Sequence, residues 1–344
     1  MPGKLVRGVL ESIGDTPLVE LERILPEFPV RVFGKMERFN PGGSIKDRTA
    51  LAMLRDRIRD GALEAGRSVV VESTSGNLGV GLAQVCLYHG LRLVCVVDAR
   101  TTARNLAAMR ALGAEVEVVT RPDPETGEFL PVRLRRVREL AETLPHAYWP
   151  NQYANPLNPG AHEQTMREID QALDGRVDYL FCPVSTFGTL RGCADYVRGR
   201  GLGTTVVAVD AVGSAIFGGP PAPRLIPGHG ASVRPALADP AAADDVVHVT
   251  DLECVAACRR LVRREAVLAG GSSGAAVAAL EKLAGTVPPG SHCVLIFPDG
   301  GDRYLDSIYS DEWVFEHFGE VSHLWKEPGE KTPEMAVENS GPGI

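Results

Sequence analysis

Apolar and polar positions follow two alternating periods along this chain. Short apolar runs predict buried strands, as at residues 30–36, 68–72, 91–97, 179–183 and 293–298. Stretches with the helical period lie between them, as at residues 47–60, 78–89, 131–144 and 252–266. Strands alternating with helices are typical of parallel sheets covered by helices on both faces. The pattern therefore predicts an α/β protein whose chemistry lies in loops at the carboxyl ends of strands.

Two stretches interrupt this alternation. Residues 213–238 are rich in Gly and Pro, which predicts a long loop over a site. Residues 326–344 are polar and contain Pro and Gly, so this tail is predicted to be disordered.

The composition argues against several classes of function. The 344 residues are 44% hydrophobic and 23% charged, with a net charge of −8 and no basic stripe, so nucleic-acid binding is not expected. Without a long apolar run or a signal-like start, we expect a cytoplasmic protein that does not enter membranes. The seven cysteines lie mostly in apolar segments, which favours buried thiols over disulfides. Cys254 and Cys258 lack the further ligands of a metal site, so no metal is expected.

Lys46 stands at the start of a predicted helix, after the turn Asn40-Pro-Gly-Gly-Ser-Ile. The positive end of the helix dipole opposes a protonated amine at this position. The lysine therefore tends toward the neutral amine that reacts with carbonyl groups. Taken alone, the motif fits a surface lysine in a loop better, so the other motifs must support a functional role.

Three further turns, rich in glycine and hydroxyl groups, precede predicted helices. They are Glu72-Ser-Thr-Ser-Gly-Asn-Leu-Gly79, Ser185-Thr-Phe-Gly-Thr189 and Leu268-Ala-Gly-Gly-Ser-Ser-Gly274. Backbone N–H groups at a helix start bind carboxylates and phosphates, although each turn also fits an ordinary helix cap. The second turn lacks the Walker lysine and the dinucleotide spacing, so one small phosphate fits it best. Asp299, in a further turn, suits either a turn-forming role or the orientation of a ligand.

Taken together and in this order, the motifs resemble the fold-type II pyridoxal-phosphate (PLP) enzymes, the family of cysteine synthase and cystathionine β-synthase. The resemblance begins at Ile13-Gly-Asp-Thr-Pro-Leu18 and reaches Tyr304. It implies a tryptophan synthase β-like fold of two three-layer αβα domains, with the cofactor between them. The large domain would comprise residues 1–39 and 152–325, and a small mobile domain residues 40–151. Such enzymes commonly form homodimers, so a homodimer is expected.

The resemblance also implies roles for individual residues. Lys46 would bind PLP as a Schiff base and then act as the general base. A serine opposite the pyridine nitrogen would leave the ring largely unprotonated, which favours β-elimination to an aminoacrylate over transamination. The phosphate would lie in Ser185, Thr186, Phe187, Gly188 and Thr189, the ring O3′ near Asn77, and the pyridine nitrogen against Ser272. The substrate carboxylate would lie on Thr74, Ser75, Gly76 and Asn77, assisted by Gln152.

This chain departs from the cysteine synthase pattern at informative positions. Ser185 and Phe187 interrupt the usual GTGGT phosphate loop, and Tyr153 carries a hydroxyl where the family usually has none. These features resemble the branch that makes 2,3-diaminopropionate precursors for siderophores or antibiotics from O-phospho-L-serine and L-glutamate. The resemblance implies β-replacement by an amine, which gives N-(2-amino-2-carboxyethyl)-L-glutamate and phosphate.

A phosphate leaving group requires hydroxyl and guanidinium donors. Tyr153, Ser185 and an arginine of segment 131–144 can supply them; Arg133 is the candidate, but Arg135 and Arg136 stay equally open, and solvation at the surface fits all three. Arg224, in the 213–238 loop, is a candidate for the carboxylates of glutamate, and His162 is interpreted as structural.

Two alternative activities remain within the same family. One is a cysteine synthase that uses O-acetylserine or O-phosphoserine with sulfide, and the other is a serine/threonine dehydratase. A catalytically silent regulatory binder is disfavoured by the intact Lys46. A nicotinamide dehydrogenase is disfavoured by the glycine spacings.

Overall fold

The protein is described by a computed structural model that covers residues 5–125 and 127–326. Apart from Lys326, the predicted disordered tail lies outside the described residues. Ten strands are present in the described part: β1 (Leu18–Glu20), β2 (Arg31–Met36), β3 (Val69–Ser73), β4 (Arg92–Asp98), β5 (Glu115–Val119), β6 (Ala147–Tyr148), β7 (Tyr179–Pro183), β8 (Thr205–Ala211), β9 (Asp245–Val249) and β10 (His292–Phe297).

Helices occupy the segments between these strands, and short 3₁₀ turns complete the described chain. None of the described helices combines the length and apolar character that a bilayer crossing requires. The α-helices are α1 (Lys46–Arg59), α2 (Asn77–Tyr88), α3 (Ala103–Ala111), α4 (Phe129–Thr143), α5 (Leu157–Ala172), α6 (Gly188–Gly199), α7 (Asp251–Glu265), α8 (Gly271–Leu283) and α9 (Asp311–Phe318).

The strands form two separate sheets. The larger sheet has the order β1-β2-β10-β7-β8-β9, and the smaller has the order β5-β4-β3-β6. Neighbouring strands are parallel throughout, except that β1 runs antiparallel to β2 at the edge of the larger sheet. The antiparallel pair is possible because a short connection suffices to reverse the chain.

Both sheets are covered on both faces, as parallel sheets require. On β7, Leu180 and Cys182 belong to one apolar cluster, which includes residues of α5 and α6, whereas Phe181 belongs to another with residues of α7 and α8. In the smaller sheet, one cluster includes residues of α1, α2 and α3, and the opposite cluster includes residues of α4. Each sheet is therefore the middle of a three-layer αβα arrangement, which confirms the predicted fold class.

All seven cysteines are buried and unpaired, in agreement with the prediction of buried thiols. Burial raises the pKa of the Cys86 thiol to about 12, so it remains protonated at neutral pH. These residues therefore pack as small apolar side chains.

Candidate active site

The carboxyl ends of strands from the two sheets meet at one place. Asn77, which begins α2 after β3 of the smaller sheet, donates from its amide Nδ2 to Asp299 Oδ2 at 2.7 Å. Asp299 follows β10 of the larger sheet and forms an isolated bridge with Ser44. The backbone N–H of Ile45 donates to the Pro298 carbonyl at 2.8 Å. These contacts place the turn before Lys46 directly against the end of β10.

Lys46 is the first residue of α1, as the sequence predicts. Burial lowers the pKa of its side chain to about 8, although the negative charge of Asp299 acts in the opposite direction. About a tenth of the amine is therefore neutral at pH 7, far more than at the ordinary lysine pKa of 10.5. This is the form that attacks a carbonyl group or accepts a proton from carbon.

Three helices begin at the predicted anion turns without a side-chain cap. Their N-cap residues are Gly76 for α2, Phe187 for α6 and Gly270 for α8, and none of these three residues caps its helix with a side chain. The first N–H groups of a helix have no intrahelical partner and need another acceptor. The side-chain cap of the ordinary-cap interpretation is absent here, as it is from α1, α4 and α5, so the N–H groups of these starts can bind an anionic ligand.

The turn at residues 185–189 is held in an unusual backbone conformation. Phe187 has a φ of 73°, in the left-handed region, while its side chain is buried against Phe217 with ring centroids 5.8 Å apart. Asn158 donates to Thr186 Oγ1 at 3.1 Å, and a Cβ at Gly188 would lie 2.1 Å from Asn158 Oδ1. Only glycine therefore fits at position 188, and Asn158 holds the turn in place through its contacts with Thr186 and Gly188.

The start of α8 lies against Asp299. A Cβ at Gly270 would lie 1.9 Å from Asp299 Oδ1, so only glycine fits there as well. Tyr304 donates its hydroxyl to Asp299 Oδ2 at 2.7 Å, whereas Oδ1 has no hydrogen-bond partner among the described residues. Burial raises the pKa of Asp299. Ser272 lies in the first turn of the same helix and is buried.

Ser75, Asp98 and Arg133 form a hydrogen-bonded group that we call the Arg133 cluster. Ser75 donates to Asp98 Oδ2 at 3.1 Å, and Arg133 Nε lies 3.2 Å from the same oxygen. Arg133 also donates from Nη1 to Ser75 Oγ, and only 9% of the residue is exposed. The cluster joins α4 to the turn that precedes α2, where the substrate carboxylate is expected.

The other two arginines of α4 lie on the surface. Arg135 pairs with Asp123 at 3.9 Å, and Arg136 pairs with Glu117 at 2.5 Å. Both guanidinium groups are substantially exposed, so neither contributes to the Arg133 cluster. Of the three arginines that the sequence left open, Arg133 is the one that contacts the turn before α2.

Gln152 and Tyr153 enter the site from the chain after β6. Gln152 donates from Nε2 to the Ser73 carbonyl at 3.1 Å, which places its side chain beside the 74–77 turn. Thr74 and Gly76 form this turn, and Gly76 N–H approaches Thr74 Oγ1 at 3.5 Å. Burial raises the pKa of the Tyr153 hydroxyl, and the positive charge of Arg133 partly offsets this effect.

Glu72 and Asp98 are site residues whose roles the sequence did not reveal. Glu72 is fully buried at the end of β3 and accepts hydrogen bonds from Trp149 Nε1 at 3.1 Å and from the Gln152 backbone at 3.3 Å. Burial raises its pKa to about 7. An acidic residue at the end of an apolar run was the available signal, since each of these carboxylates lies at the carboxyl end of a central strand.

Arg224 and His162 have partners within the protein. Arg224 donates to the Gly213 carbonyl at 2.7 Å and to Ser232 Oγ at 3.2 Å, so it braces the 213–238 loop. His162 is fully buried, and its Nε2 lies 3.1 Å from Thr49 Oγ1 and 3.5 Å from Thr189 Oγ1. The histidine therefore connects α5 with α1 and α6, as a structural residue would. Among the described residues, no cluster of three or more metal-ligating side chains was found.

Comparisons with known proteins agree with this geometry. A family profile described as pyridoxal-phosphate dependent enzyme matches residues 9–299. A protein of Ralstonia nicotianae named N-(2-amino-2-carboxyethyl)-L-glutamate synthase is 44% identical over 311 residues, which are 90% of this chain and 91% of that protein. The resemblance drawn from the motifs is thereby confirmed.

Solved structures show the same fold. The crystal structure of O-ureido-L-serine synthase is 32% identical, with a TM-score of 0.83 over 92% of this chain and 97% of that chain. The O-acetylserine dependent cystathionine β-synthase of Helicobacter pylori is 31% identical, with a TM-score of 0.82 over 90% of this chain and 100% of that chain.

Proposed function

This chain belongs to the family of pyridoxal-phosphate dependent enzymes, and we propose that it replaces the phosphate of O-phospho-L-serine with the amine of L-glutamate. The products are N-(2-amino-2-carboxyethyl)-L-glutamate and inorganic phosphate. The named relative supports the formation of a C–N bond in this way. We choose a phosphorylated substrate because Arg133 is buried beside Ser75 and its positive charge acts on Tyr153.

The residues at the site fit PLP. Lys46 offers a buried and partly neutral amine, the three uncapped helix starts offer N–H groups, and Gly188 and Gly270 leave the backbone free of side chains. Lys46 would hold the cofactor covalently, residues 185–189 its phosphate, Asn77 its ring oxygen and Ser272 its ring nitrogen. When bound, the cofactor accepts the electrons that remain on the substrate's α-carbon after its proton leaves.

We assign the role of general base to Lys46. Lys46 would hold the cofactor before the substrate binds, and its Nζ would then accept the proton from the α-carbon of the bound substrate. A pKa of about 8 suits this task, because a general base works best when its pKa lies near the working pH. The Ser272 hydroxyl can bond the ring nitrogen without a formal charge.

The Arg133 cluster and Tyr153 bind the leaving group. Arginine bonds phosphate oxygens with two parallel N–H groups, and the hydroxyls of Tyr153 and Ser185 can donate to the remaining oxygens. Asp98 holds the guanidinium at 3.2 Å from its Oδ2 and so fixes the direction of the donors. The acetyl ester of O-acetylserine carries no charge before it leaves as acetate and so needs a cation less than a phosphate does, which makes O-acetylserine the weaker candidate.

The 40–151 segment is proposed to be the domain that moves. It contains the smaller sheet and the turn for the substrate carboxylate, and its contacts with the larger sheet include the hydrogen bond from Asn77 to Asp299. Closure would keep water away from the reacting carbon. We also propose the homodimer that is common in this family.

Product analysis distinguishes the proposal from its two rivals. The purified holoenzyme is incubated with O-phospho-L-serine and ¹⁵N-labelled L-glutamate, and the products are identified by mass spectrometry. The proposal predicts one labelled product with a new C–N bond for each phosphate released. Phosphate with pyruvate and unlabelled ammonia would instead indicate a dehydratase, and turnover only when sulfide is supplied would indicate a cysteine synthase.

A further inference from the structure

His229 is a buried imidazole that has no use within the fold. The residue is 2% exposed, and neither Nδ1 nor Nε2 has a hydrogen-bond partner among the described residues. Buried polar atoms in proteins are nearly always hydrogen-bonded, because leaving them unpaired is costly. Two unpaired atoms on one ring therefore require a specific explanation, and a ligand that bonds the ring supplies one.

The backbone places His229 beside the predicted phosphate turn. The adjacent Gly230 donates its N–H to the Val184 carbonyl at 2.8 Å, and Val184 directly precedes Ser185. Farther along the same loop, Leu237 donates to the Tyr153 carbonyl at 3.1 Å. The 213–238 loop is therefore hydrogen-bonded beside Ser185 and at Tyr153, which are the two hydroxyl residues proposed for the leaving-group side. His229 lies in this loop, next to the residue that makes the first of these contacts.

The chemistry of the ring is that of a neutral hydrogen-bonding group. Burial, with a further contribution from the positive charge of Arg224, lowers the pKa of His229 to about 3. The ring therefore carries one N–H and one lone pair throughout the neutral range. Arg224 uses only two of its five N–H groups on Gly213 and Ser232, so its charge and its remaining donors are available nearby.

We propose that His229 binds the second amino-acid substrate. Its ring lone pair accepts an N–H of the incoming amine and so directs the nitrogen lone pair toward the reacting carbon. The neighbouring Arg224 favours a nucleophile that carries carboxylates. Hydrosulfide is an anion that has no amine N–H to offer, so this residue selects amines over sulfide. The inference rests on the proposed function and names the residue that recognises its nucleophile.

The test compares His229→Leu and His229→Gln with the unsubstituted holoenzyme and with His248→Leu, a change at an exposed position on β9. Three quantities are measured: the KM for L-glutamate, the rate of phosphate release from O-phospho-L-serine without glutamate, and the midpoint of thermal unfolding. The KM is expected to rise about tenfold in His229→Leu, as the loss of one hydrogen bond predicts. Phosphate release and the unfolding midpoint are expected to stay unchanged, because the ring bonds nothing in the protein.

Each other outcome overturns the inference in a recognisable way. An unchanged KM in both variants, with glutamate consumed normally, overturns the role of His229 and leaves the proposed function intact. A rise in KM accompanied by an equal fall in the rate of phosphate release would show that the ring instead supports the loop. A lower unfolding midpoint in both variants would show the same. If the unsubstituted enzyme does not consume glutamate, the proposed function fails and this inference fails with it.

Discussion

The Arg133 cluster and the 213–238 loop represent two opposite ways of building a polar site. In the cluster, Ser75 donates a hydrogen bond to Asp98 and Arg133 forms an ion pair with it, so the charges are paired before any ligand arrives. In the loop, Arg224 is paired with backbone and hydroxyl groups, but His229 has neither ring nitrogen bonded within the described chain. The donors for the first substrate are therefore held in place by the fold. The second substrate must complete the hydrogen bonds of its own subsite.

Lys46→Ala gives the largest expected effect, because both regions act on a substrate that Lys46 activates. We expect kcat/KM to fall by about 10³-fold or more, since a base and a covalent anchor are lost together. The visible absorbance band of the bound cofactor should also disappear. Lys282→Ala is the control: this lysine forms an exposed pair with Glu253 and should change little. Normal activity in Lys46→Ala would refute its assignment.

Arg133→Gln separates the two regions. The substitution removes the guanidinium from Asp98 and Ser75, so kcat/KM for O-phospho-L-serine should fall by about 10- to 100-fold, as expected for lost hydrogen bonds to a charged group. The KM for L-glutamate should change much less. Arg136→Gln, on the exposed face of the same helix, should leave both values nearly unchanged. If Arg136→Gln is equally harmful, the effect belongs to α4 as a whole.

Phe187→Gly and Phe187→Ala test how the phosphate turn and the 213–238 loop support each other. Either change removes a buried ring that packs on Phe217, so unfolding free energy should fall by about 3–5 kcal/mol in the alanine variant. The glycine variant should be about 1 kcal/mol more stable than the alanine variant, because φ at this position is 73°. Urea unfolding measures both, and the reverse order would contradict the left-handed assignment.

Glu72→Gln gives the smallest predicted effect. It concerns the smaller sheet, in which Glu72 lies near the end of β3. Burial raises the folded-state pKa of Glu72 from 4.5 to about 7, so the folded protein binds this proton more tightly than the unfolded chain. The contribution of Glu72 to stability is therefore complete below pH 4.5 and is lost as the pH rises through 7.

Glutamine does not titrate, so the free energy of unfolding of the original protein, relative to that of Glu72→Gln, should fall by about 1 kcal/mol from pH 6 to pH 8. Urea unfolding at the two pH values measures this difference. A difference that does not vary with pH would show that Glu72 has an ordinary pKa.

The sequence predicted the helices and strands that alternate regularly, and it missed those that do not. The strand predicted at 179–183 matches β7, because a bounded apolar run leaves little choice. The antiparallel β1 and the mixed-polarity β9 were missed, since three or five residues of such composition carry too weak a period. The α9 helix was also missed. Its start is set by a Ser310 cap rather than by a long amphipathic pattern.

The sequence located the backbone turns of the site, but it did not reveal which side chains contact one another there. Turns such as 185–189 have a local signature in glycine and hydroxyl residues, so their position could be read directly. The contact of Asp98 with Arg133 joins residues far apart in the chain, and no spacing in the sequence reveals it. The unpaired state of His229 is likewise a property of tertiary packing. The predicted use of Arg224 for glutamate has to accommodate its bonds to the loop.

The most direct test of the proposed reaction is an absorbance scan of the holoenzyme during sequential addition of its substrates. The starting visible band should be replaced by a new one when O-phospho-L-serine is added, with one phosphate released per active site. L-glutamate should then restore the original band and yield one equivalent of N-(2-amino-2-carboxyethyl)-L-glutamate. If sulfide restores the band and L-glutamate does not, the enzyme is a cysteine synthase, and our interpretation of the Arg133 cluster and His229 is wrong.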